Sequence, residues 1–429
     1  MRIILKNFRL IDEKTDTLGS IIINDGIIAE VKTGNSLPDD KISCAAMIID
    51  GKNLSSSDEL PVLMPAFVDL HAHFRDPGLG ENSALPLELK LPSEVLESAC
   101  MAAAAGGFGT VVCMANTKPA IDTVEKAAAL KKRSDFLGLI DTFPVISLTK
   151  NMEGKELSGI TAIPASGSSY IPMMLSEDGK DPDNDDLFLV AMKEAKRIGI
   201  PVSCHCDLGG DENNAVSRVI ELGKKAGCRI HIAHVSTKEA LQTIREARQN
   251  GFALTCEAMP HHLCLTEEDA NKLGIKTWGR VNPPLRSEED RQALIQALND
   301  GTADAIATDH APHSKADKEA GAPGFSGFET AFASLYTELV RGGANIGLKR
   351  LSSLLSANPA RLLGFGNSSK SGLLLPGCAA DLTILDTEAA WVVEPEKFFS
   401  RGKNSPFAGR QLYGKILMTL HKGRVVFEN

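Results

Sequence analysis

The sequence predicts an α/β fold, a (β/α)8 TIM barrel with a small β-sandwich domain formed by the N- and C-terminal segments. Three observations lead to this prediction. The middle of the chain alternates short apolar runs with helical segments, both ends are rich in β-type runs, and the 429 residues, 43% of them hydrophobic, suffice for a large core. The predicted boundaries are 1–62 and 367–429 for the β-sandwich domain and 63–366 for the barrel.

The two ends of the chain show the same β-type pattern. The β-rich runs are residues 3–5, 20–23, 27–31, 381–385 and 415–427. Asn24-Asp25-Gly26, between the second and third of these runs, is a strong hairpin signal. These matching ends predict that the N- and C-terminal segments meet in one small sheet domain.

Eight candidate strands occupy the middle of the chain, over about 250 residues, which is the number and size of a (β/α)8 barrel. A helical segment at 93–105, ended by Gly106-Gly107, separates the first two strands. No Gly-x-Gly-x-x-Gly follows any of the eight, so the alternative of a nucleotide-binding open sheet has no support. The candidates are the run from Met64 to His73 and residues 109–114, 140–146, 170–175, 200–205, 229–234, 252–256 and 303–308.

Composition excludes several classes of function. A net charge of −9 argues against a nucleic-acid partner. The sequence contains no run of about 18 apolar residues, so no membrane span is predicted. The N-terminus does not resemble a signal peptide. The nine cysteines have no regular spacing, so they are interpreted as reduced and mostly buried thiols. The expected location is the cytoplasm.

The first barrel strand ends in His71-Ala72-His73, with Arg75 just beyond it. Residues two apart on a strand share a face, so the two imidazoles converge on one point. Two neutral imidazoles so placed suit a zinc-like metal. Since the pair alone fits an ordinary buried strand equally well, a metal site requires further ligands downstream.

Further residues of ligand type follow four other predicted strands. Active sites of such barrels lie at the carboxyl ends of the strands. A single polar residue there is usually a cap or a hydrogen-bonded core residue, but the set predicts a metal site. The residues are Glu177 and Asp178 after the fourth strand, His205 after the fifth, His234 after the sixth, and Asp309 and His313 after the eighth.

Six motifs extend over most of the chain. They are Met64-Pro-Ala-Phe-Val-Asp-Leu-His-Ala-His-Phe-Arg75, Met114-Ala-Asn-Thr117, Gly154-Lys-Glu-Leu157, Glu257-Ala-Met-Pro-His-His-Leu263, Val281-Asn-Pro-Pro-Leu-Arg286 and Thr308-Asp-His-Ala-Pro-His313. Together they resemble the amidohydrolase superfamily and, within it, the dihydroorotases of the Asp-bridged bacterial type. Arg75, Asn116, Asn282 and the Asp309-x-x-x-His313 pattern favour the dihydroorotases over other members.

The resemblance implies two divalent metal ions, with zinc as the expected metal. One would be held by His71, His73 and Asp309 and the other by His205 and His234, with Asp178 bridging them. Two such ions can share and activate one water. Asp309 would also act as general base and then acid in the reversible opening of the cyclic amide of dihydroorotate to N-carbamoyl-aspartate, a reaction of pyrimidine biosynthesis.

The resemblance also assigns residues to a small anionic substrate. Arg75, Asn116 and His313 would hold its carboxylate, which an arginine fork fits well. Asn282 and the backbone near Pro323 and Gly324 would contact the ring amide. The loop 314–326 is interpreted either as a lid or as an ordinary exposed loop. Further expected partners are a second copy of the chain, in a homodimer, and an aspartate transcarbamoylase.

The remaining histidines are interpreted as structural. Alternation along the sixth strand predicts that His231 lies on the face opposite His234, toward the surrounding helices. His421 is predicted to be a surface residue of the terminal sheet. The others are His261 and His262, predicted to be hydrogen-bond partners in a loop, and His310, predicted to point away from Asp309.

Two departures and two alternative functions accompany this interpretation. Ala115 stands where the family has proline, and the segment 79–91 does not match the sequence pattern of the family. Related hydantoinases, dihydropyrimidinases and allantoinases mostly bridge their metals with a carboxylated lysine on the fourth strand, and 170–175 contains no lysine. The alternatives are another cyclic amidase of that kind and a non-catalytic partner of aspartate transcarbamoylase, which loss of metal ligands would mark.

Overall fold

The computed structural model describes residues 1–34, 46–55, 59–76, 93–165, 170–365 and 372–429. The segment 79–91 and the predicted domain boundary at 366/367 lie outside these residues. The described part has the mixed α/β composition that the sequence predicts. Within it, no helix has the length and apolarity that a bilayer crossing requires.

The strands and helices alternate through the middle of the chain. The strands are β1 (Arg2–Ile11), β2 (Asp16–Asn24), β3 (Ile27–Thr33), β4 (Ala46–Asp50), β5 (Val62–Pro65), β6 (Phe67–Ala72), β7 (Phe108–Cys113), β8 (Asp141–Pro144), β9 (Leu175–Ser176), β10 (Val202–Cys204), β11 (Ile230–Ile232), β12 (Leu254–Ala258), β13 (Ala305–Ile306), β14 (Leu382–Val392), β15 (Gln411–His421) and β16 (Arg424–Glu428). The α-helices are α1 (Leu96–Ala105), α2 (Val124–Leu137), α3 (Asp185–Ile198), α4 (Glu212–Ala226), α5 (Lys238–Gln249), α6 (Pro260–Cys264), α7 (Glu267–Leu273), α8 (Glu288–Asp300), α9 (Lys315–Glu319), α10 (Phe328–Leu335), α11 (Leu348–Ser352) and α12 (Asn358–Leu362). Short 3-10 helices span Gly51–Asn53, Lys150–Met152, Gly159–Ala165 and Pro395–Lys397, and π-helices span Tyr336–Arg341 and Ser353–Ala357.

The strands β6 to β13 form two parallel sheets. One has the order β6-β7-β8 and the other the order β13-β12-β11-β10-β9. Single parallel bridges connect their edges, Ile146 with Leu175 and Ala72 with His310. All eight strands predicted in the middle of the chain are therefore present, although most are shorter than predicted.

Asp69 fastens β6 to β13, where the first and last of these strands meet. Its carboxylate accepts the backbone N–H of His71 at 3.0 Å, the backbone N–H of Thr308 at 3.0 Å and the Thr308 hydroxyl at 2.5 Å. The backbone N–H of Asp309 donates to the carbonyl of His71 at 2.9 Å. These bonds place Asp309 beside His71 although the two are far apart in sequence.

Capping residues define where the helices between the strands begin and end. Short polar side chains accept a backbone N–H of the first turn, and glycines with positive φ end several helices. The N-caps of α2 to α5 are Thr123, Asn184, Asp211 and Thr237, and Gly138, Gly199 and Gly227 end α2 to α4. The loops between strand ends and these caps carry the site residues described below.

The terminal segments form one sheet, with the order β16-β15-β14-β5-β1-β2-β3 and β4 paired to β1. The predicted hairpin at Asp25-Gly26 is confirmed, since both residues have the positive φ angles, 49° and 82°, that a tight hairpin turn requires. The strand β5 pairs with both β1 and β14, so the sheet reaches Pro65, beyond the predicted boundary at residue 62.

His421 is buried between the terminal sheet and the start of β8, so its prediction as a surface residue is wrong. Its Nδ1 lies 2.9 Å from Asp381 Oδ1 and its Nε2 lies 3.9 Å from Asp141 Oδ1. Lys422 Nζ lies 2.9 Å from the same Asp141 oxygen. The two carboxylates thus face opposite nitrogens of the ring, and Lys422 forms an ion pair with Asp141.

Candidate metal centre and active site

The six side chains predicted as metal ligands lie close together at the carboxyl ends of the parallel strands, and all are nearly fully buried. Asp178 is at their centre. Its Oδ1 lies 3.2 Å from His71 Nε2, 3.2 Å from His205 Nδ1 and 3.7 Å from His234 Nε2, and its Oδ2 lies 3.4 Å from His73 Nε2. The carboxylate of Asp178 thus faces both histidine pairs.

Asp309 completes the group on the side of His71 and His73. Its Oδ1 lies 3.0 Å from His73 Nε2 and 3.7 Å from His71 Nε2. On the other side of Asp178, His234 Nε2 lies 2.9 Å from His205 Nδ1. Imidazole nitrogens and carboxylate oxygens therefore converge in two adjoining groups.

The donor set fits divalent metal ions. Imidazoles with carboxylates are typical ligands of zinc. His71 Nε2 is buried and has no hydrogen bond within the described part of the chain, although it faces Asp178. Burial would lower the pKa of His71, but Asp178, Glu257 and Asp309 raise it well above its ordinary value. This shift reflects an excess of negative charge that a cation would balance.

The carboxyl groups of the cluster are ionised. Burial would raise the pKa of Asp309, but the hydrogen bond with His73 and the imidazoles of His71 and His234 hold it well below its ordinary value. Burial also opposes ionisation of Asp178, and the surrounding imidazoles again lower its pKa. Both carboxylates are therefore available as ligands in their charged form.

The backbone turns sharply where the strands deliver these residues. Arg75, His234 and Asp309 have positive φ angles of 55°, 35° and 46°. Such angles are uncommon for residues other than glycine and concentrate at functional sites. The turns end the extended conformation and aim side chains into the site.

His231 does not face the surrounding helices, so this prediction is wrong. Its Nδ1 lies 2.8 Å from Thr255 Oγ1 and its Nε2 lies 3.1 Å from Glu257 Oε2. The other oxygen of Glu257 lies 3.1 Å from His71 Nδ1. The prediction from strand alternation failed because β11 ends at Ile232 and the chain turns at His234. His231 and His234 therefore lie on the same side of the strand, the side that faces the site.

Two side chains fix the orientation of the first histidine pair. Glu257 accepts from His71 Nδ1, and Asn116 Oδ1 lies 2.8 Å from His73 Nδ1. An imidazole that donates from Nδ1 keeps the Nε2 lone pair for a metal. Glu257 was not identified from the sequence as a site residue, although a glutamate inside the apolar run 254–258 is a signal for one.

We expect Glu257→Gln to weaken metal binding by about 10- to 100-fold, the usual effect of removing such a partner of a metal-ligating histidine. The amide cannot supply the negative charge that favours donation from His71 Nδ1. Zinc affinity measured by competition with a chelating dye tests this. Asn116→Asp, which keeps an acceptor beside His73, is the matched variant and should retain metal better; equal affinity of Glu257→Gln and the unmodified protein would contradict the role of Glu257.

Glu177, the alternative to Asp178 as a ligand, forms hydrogen bonds with a neighbouring loop and does not face the histidines. Its carboxylate accepts the backbone N–H groups of Leu148 and Thr149 at 2.9 Å each and the Thr149 hydroxyl. It therefore anchors the loop after β8, and Asp178 is the carboxylate that faces the histidines.

Arg75 and His313 lie next to the cluster. Arg75 Nη2 is 3.4 Å from His313 Nε2, and His313 Nε2–H donates to the Pro323 carbonyl at 2.8 Å. Arg75 Nε is buried without a hydrogen bond to any described residue. Burial lowers the pKa of Arg75, and Asp309 and Asp178 partly offset this effect. A partly desolvated guanidinium in this position can bind an anion.

The other residues predicted for substrate binding also border the cluster. Asn116 Nδ2 lies 3.4 Å from Asp178 Oδ2. Asn282 Nδ2 lies 3.1 Å from His205 Nε2 and 3.1 Å from Asp207 Oδ2, and Asp207 was not foreseen. Gly324 has a φ of 133°, and a Cβ there would lie 2.6 Å from the Cβ of Ala311, so the close approach of this backbone requires glycine.

The remaining histidines lie outside the candidate ligand set, but the prediction that His261 and His262 lie in a loop is wrong, and His261 Nε2 has no hydrogen bond to a described residue. His262 Nε2 lies 3.0 Å from the Pro283 carbonyl, and His261 and His262 are both buried in α6. His310 accepts the backbone N–H of Gly327 at 3.1 Å and stacks on Phe328. None of these contacts involves a residue of the metal-ligand cluster.

Comparisons with known proteins agree with this geometry. The model of the amidohydrolase family matches residues 62–426. The dihydroorotase of Clostridium botulinum (strain Eklund 17B) is 38% identical over 100% of both chains, and that of Anaeromyxobacter dehalogenans (strain 2CP-1) is 37% identical over 98% of this chain and 96% of the relative. Among solved structures, the L-hydantoinase (dihydropyrimidinase) from Arthrobacter aurescens has a TM-score of 0.82 and 26% identity, with 99% of this chain and 96% of that chain covered. The dihydropyrimidinase from Brevibacillus agri NCHU1002, at 21% identity, a TM-score of 0.80 and coverage of 100% of this chain and 95% of that chain, shows the same fold. With relatives this similar along its whole length, the chain belongs to the amidohydrolase family and, within that family, to the dihydroorotases.

Proposed function

We propose that this chain is a dihydroorotase, which reversibly hydrolyses the cyclic amide of (S)-dihydroorotate to N-carbamoyl-L-aspartate in pyrimidine biosynthesis. The observation that carries the proposal is the Arg75 guanidinium, whose buried Nε has no hydrogen bond to a described residue, directly beside side chains that could hold metal ions. It joins an anion-binding group to a hydrolytic centre. The relatives named dihydroorotase support this substrate more strongly than the less similar hydantoinases do.

Two divalent metal ions, with zinc as the expected metal, are part of the proposal. When bound, they would polarise the scissile carbonyl and favour ionisation of the attacking water. The proposed ligands are His71, His73 and Asp309 for one ion, His205 and His234 for the other, and Asp178 for both.

The chain's own groups would then move the proton and orient the ring. Asp309, held ionised beside His73, would take the proton of the attacking water and return it to the leaving ring nitrogen. The proposed substrate contacts are Arg75, Asn116 and His313 for the carboxylate, and Asn282 with the backbone of Pro323 and Gly324 for the ring amide.

The proposal includes the predicted architecture and partners. The bridges from Ile146 to Leu175 and from Ala72 to His310 support closure of the eight strands into a (β/α)8 barrel. A composite β-sandwich domain, a homodimer and association with an aspartate transcarbamoylase follow from the family. Light scattering of the protein, alone and mixed with the transcarbamoylase, tests the two assemblies.

The direct test follows the loss of dihydroorotate by ultraviolet absorbance and measures the metal content of the same sample. The expected result is ring opening by protein that carries about two divalent ions per chain. A protein loaded with metal that fails to open dihydroorotate, yet binds the transcarbamoylase, would favour the scaffold role instead.

Reconstitution of the metal-free protein should not depend on bicarbonate. Asp178 already presents a carboxylate to both histidine pairs, whereas a lysine must first react with carbon dioxide to become such a ligand. We expect equal recovery of activity with zinc in carbon dioxide-free buffer and in buffer with added bicarbonate. A requirement for bicarbonate would mean that a lysine, rather than Asp178, bridges the metals.

A further inference from the structure

Lys318 is a fully buried lysine in the loop that follows the last strand of the metal site, on α9. Its Nζ donates to three backbone carbonyls, those of Arg280 at 2.8 Å, Ala322 at 2.9 Å and Gly324 at 2.9 Å. It also lies 5.3 Å from the centre of the Phe325 ring. Lysines are almost never fully buried unless they are paired, so the burial of Lys318 indicates a specific structural role for its ammonium group.

The three carbonyls replace a carboxylate partner. Among the described residues, no carboxylate forms an ion pair with Lys318, and its polar contacts are the three carbonyls. Burial, together with the nearby Arg280, lowers the pKa of Lys318 to about 8. The ammonium therefore adds a positive charge that no acidic side chain of the described protein neutralises by contact.

The backbone that Lys318 holds is the backbone that orients His313. Pro323 lies between the two bound carbonyls of residues 322 and 324, and its own carbonyl accepts His313 Nε2–H at 2.8 Å. His313 Nε2 in turn lies 3.4 Å from Arg75 Nη2. A short chain of contacts thus connects the buried ammonium to the two groups proposed to bind the substrate carboxylate.

A second side chain fixes the same backbone. Asn404 Nδ2 donates to the carbonyls of Gly324 at 2.9 Å and Ala311 at 3.1 Å. Gly324 N–H donates to the Arg280 carbonyl at 3.0 Å. The backbone of residues 322–324 is therefore held at several points.

We propose that Lys318 is a positioning residue of the carboxylate subsite. It holds residues 322–324 in the conformation that orients His313, and its charge adds to that of Arg75 in favouring an anionic substrate. The inference rests on the proposed function and goes beyond it, because Lys318 binds the backbone carbonyl of Gly324 but contacts none of the side chains assigned to metal or substrate. It makes anion selection depend on a residue outside the binding site.

Lys318→Met is the primary test, because methionine keeps an unbranched chain and removes the three donors and the charge. We expect KM for dihydroorotate to rise by about tenfold or more while kcat changes by less than about threefold, the pattern of lost uniform binding. The affinity for orotate, a planar analogue with the same carboxylate, should fall in parallel. Lys318→Arg, which keeps the charge, should show a smaller rise in KM and a smaller loss of orotate affinity than Lys318→Met.

The pH profile separates a charge effect from a structural one. The ammonium is present below pH 8 and lost above it, so KM of the unmodified enzyme should rise from pH 8 to pH 10, while KM of Lys318→Met should already be high and stay flat. The charged or titratable groups acting on Lys318, Arg75 and His313 include Arg280, Asp317, Glu94, Asp178, Asp309 and His73. Burial, with Arg75 nearby, lowers the pKa of His313 to about 4, and guanidinium groups keep their charge, so neither accounts for a change in this range.

The outcomes distinguish this inference from the proposed function. An unmodified protein that neither opens dihydroorotate nor binds orotate overturns both. An active unmodified enzyme with unchanged KM and orotate affinity in Lys318→Met overturns the role of Lys318 alone. If Lys318→Met does not fold, as judged by thermal unfolding and metal content, the pH dependence of KM in the unmodified enzyme decides, and a flat profile overturns the inference.

Discussion

Asp309→Asn should lose turnover by about 10² to 10⁴-fold, the usual contribution of a general acid–base group, while it keeps most of its metal. The amide oxygen can still act as a ligand beside His73, but the amide cannot accept the proton of the attacking water. Initial rates of dihydroorotate opening and the metal content of the same preparation measure the two effects separately.

The two measurements also separate the two roles of Asp309. A variant with full metal content and unchanged rate would exclude Asp309 as the base. A variant that loses both metal and rate would leave Asp309 a ligand without showing proton transfer. Asp207→Asn is a suitable comparison, because Asp207 borders the site through Asn282 without contacting Asp309 in the described structure; it should keep far more of the rate.

The sequence predicted that the candidate metal ligands lie close together, because parallel strands end at a common edge. His71 lies near the end of β6, whereas His205 and Asp309 follow β10 and β13, and this topology alone brings such residues together. The eight strands were also predictable, since apolar runs alternate with helices whose caps are recognisable. Strand lengths were not, because the backbone turns out of the extended conformation at Arg75, His234 and Asp309.

Contacts that depend on the local path of the backbone could not be predicted. His231 was assigned to the wrong face because alternation does not continue through the turn at His234. His421 was assigned to the surface because nothing in its own segment indicates that the start of β8 packs against it. The hydrogen bonds of the Lys318 ammonium to described residues all go to backbone carbonyls, which carry no side-chain signal in the sequence.

Dihydroorotate should be opened at least about 10⁴-fold more efficiently, in kcat/KM, than dihydrouracil, because sites built around a polar substrate group reject analogues that lack it to this extent. The two compounds share the ring and the scissile amide and differ in the carboxylate. With dihydrouracil the Arg75 guanidinium, whose Nε has no hydrogen bond to described residues, would stay unpaired after water is excluded. Parallel assays of dihydroorotate, dihydrouracil and hydantoin measure this selectivity.

Arg75→Met tests which group produces that selectivity. Removing one partner of a buried charge pair costs about 3 to 5 kcal/mol, so kcat/KM for dihydroorotate should fall by the corresponding factor, with little change for dihydrouracil. Metal content should not change, since the close contacts among the proposed ligands do not include Arg75. Arg245→Met, which removes a guanidinium paired with Asp300 outside the site, is the matched control and should leave selectivity intact.

The same assays decide between the proposed reaction and its nearest alternative. A hydantoinase must accept uncharged rings, so it gains nothing from an arginine that, among the described residues, leaves its Nε without a hydrogen bond beside the proposed metal ligands. Similar kcat/KM values for dihydroorotate and dihydrouracil in the unmodified protein would therefore favour the hydantoinase alternative. Selectivity that is present in the unmodified protein and lost in Arg75→Met would instead assign anion recognition to this guanidinium, because both substrates present the same amide to the same metals.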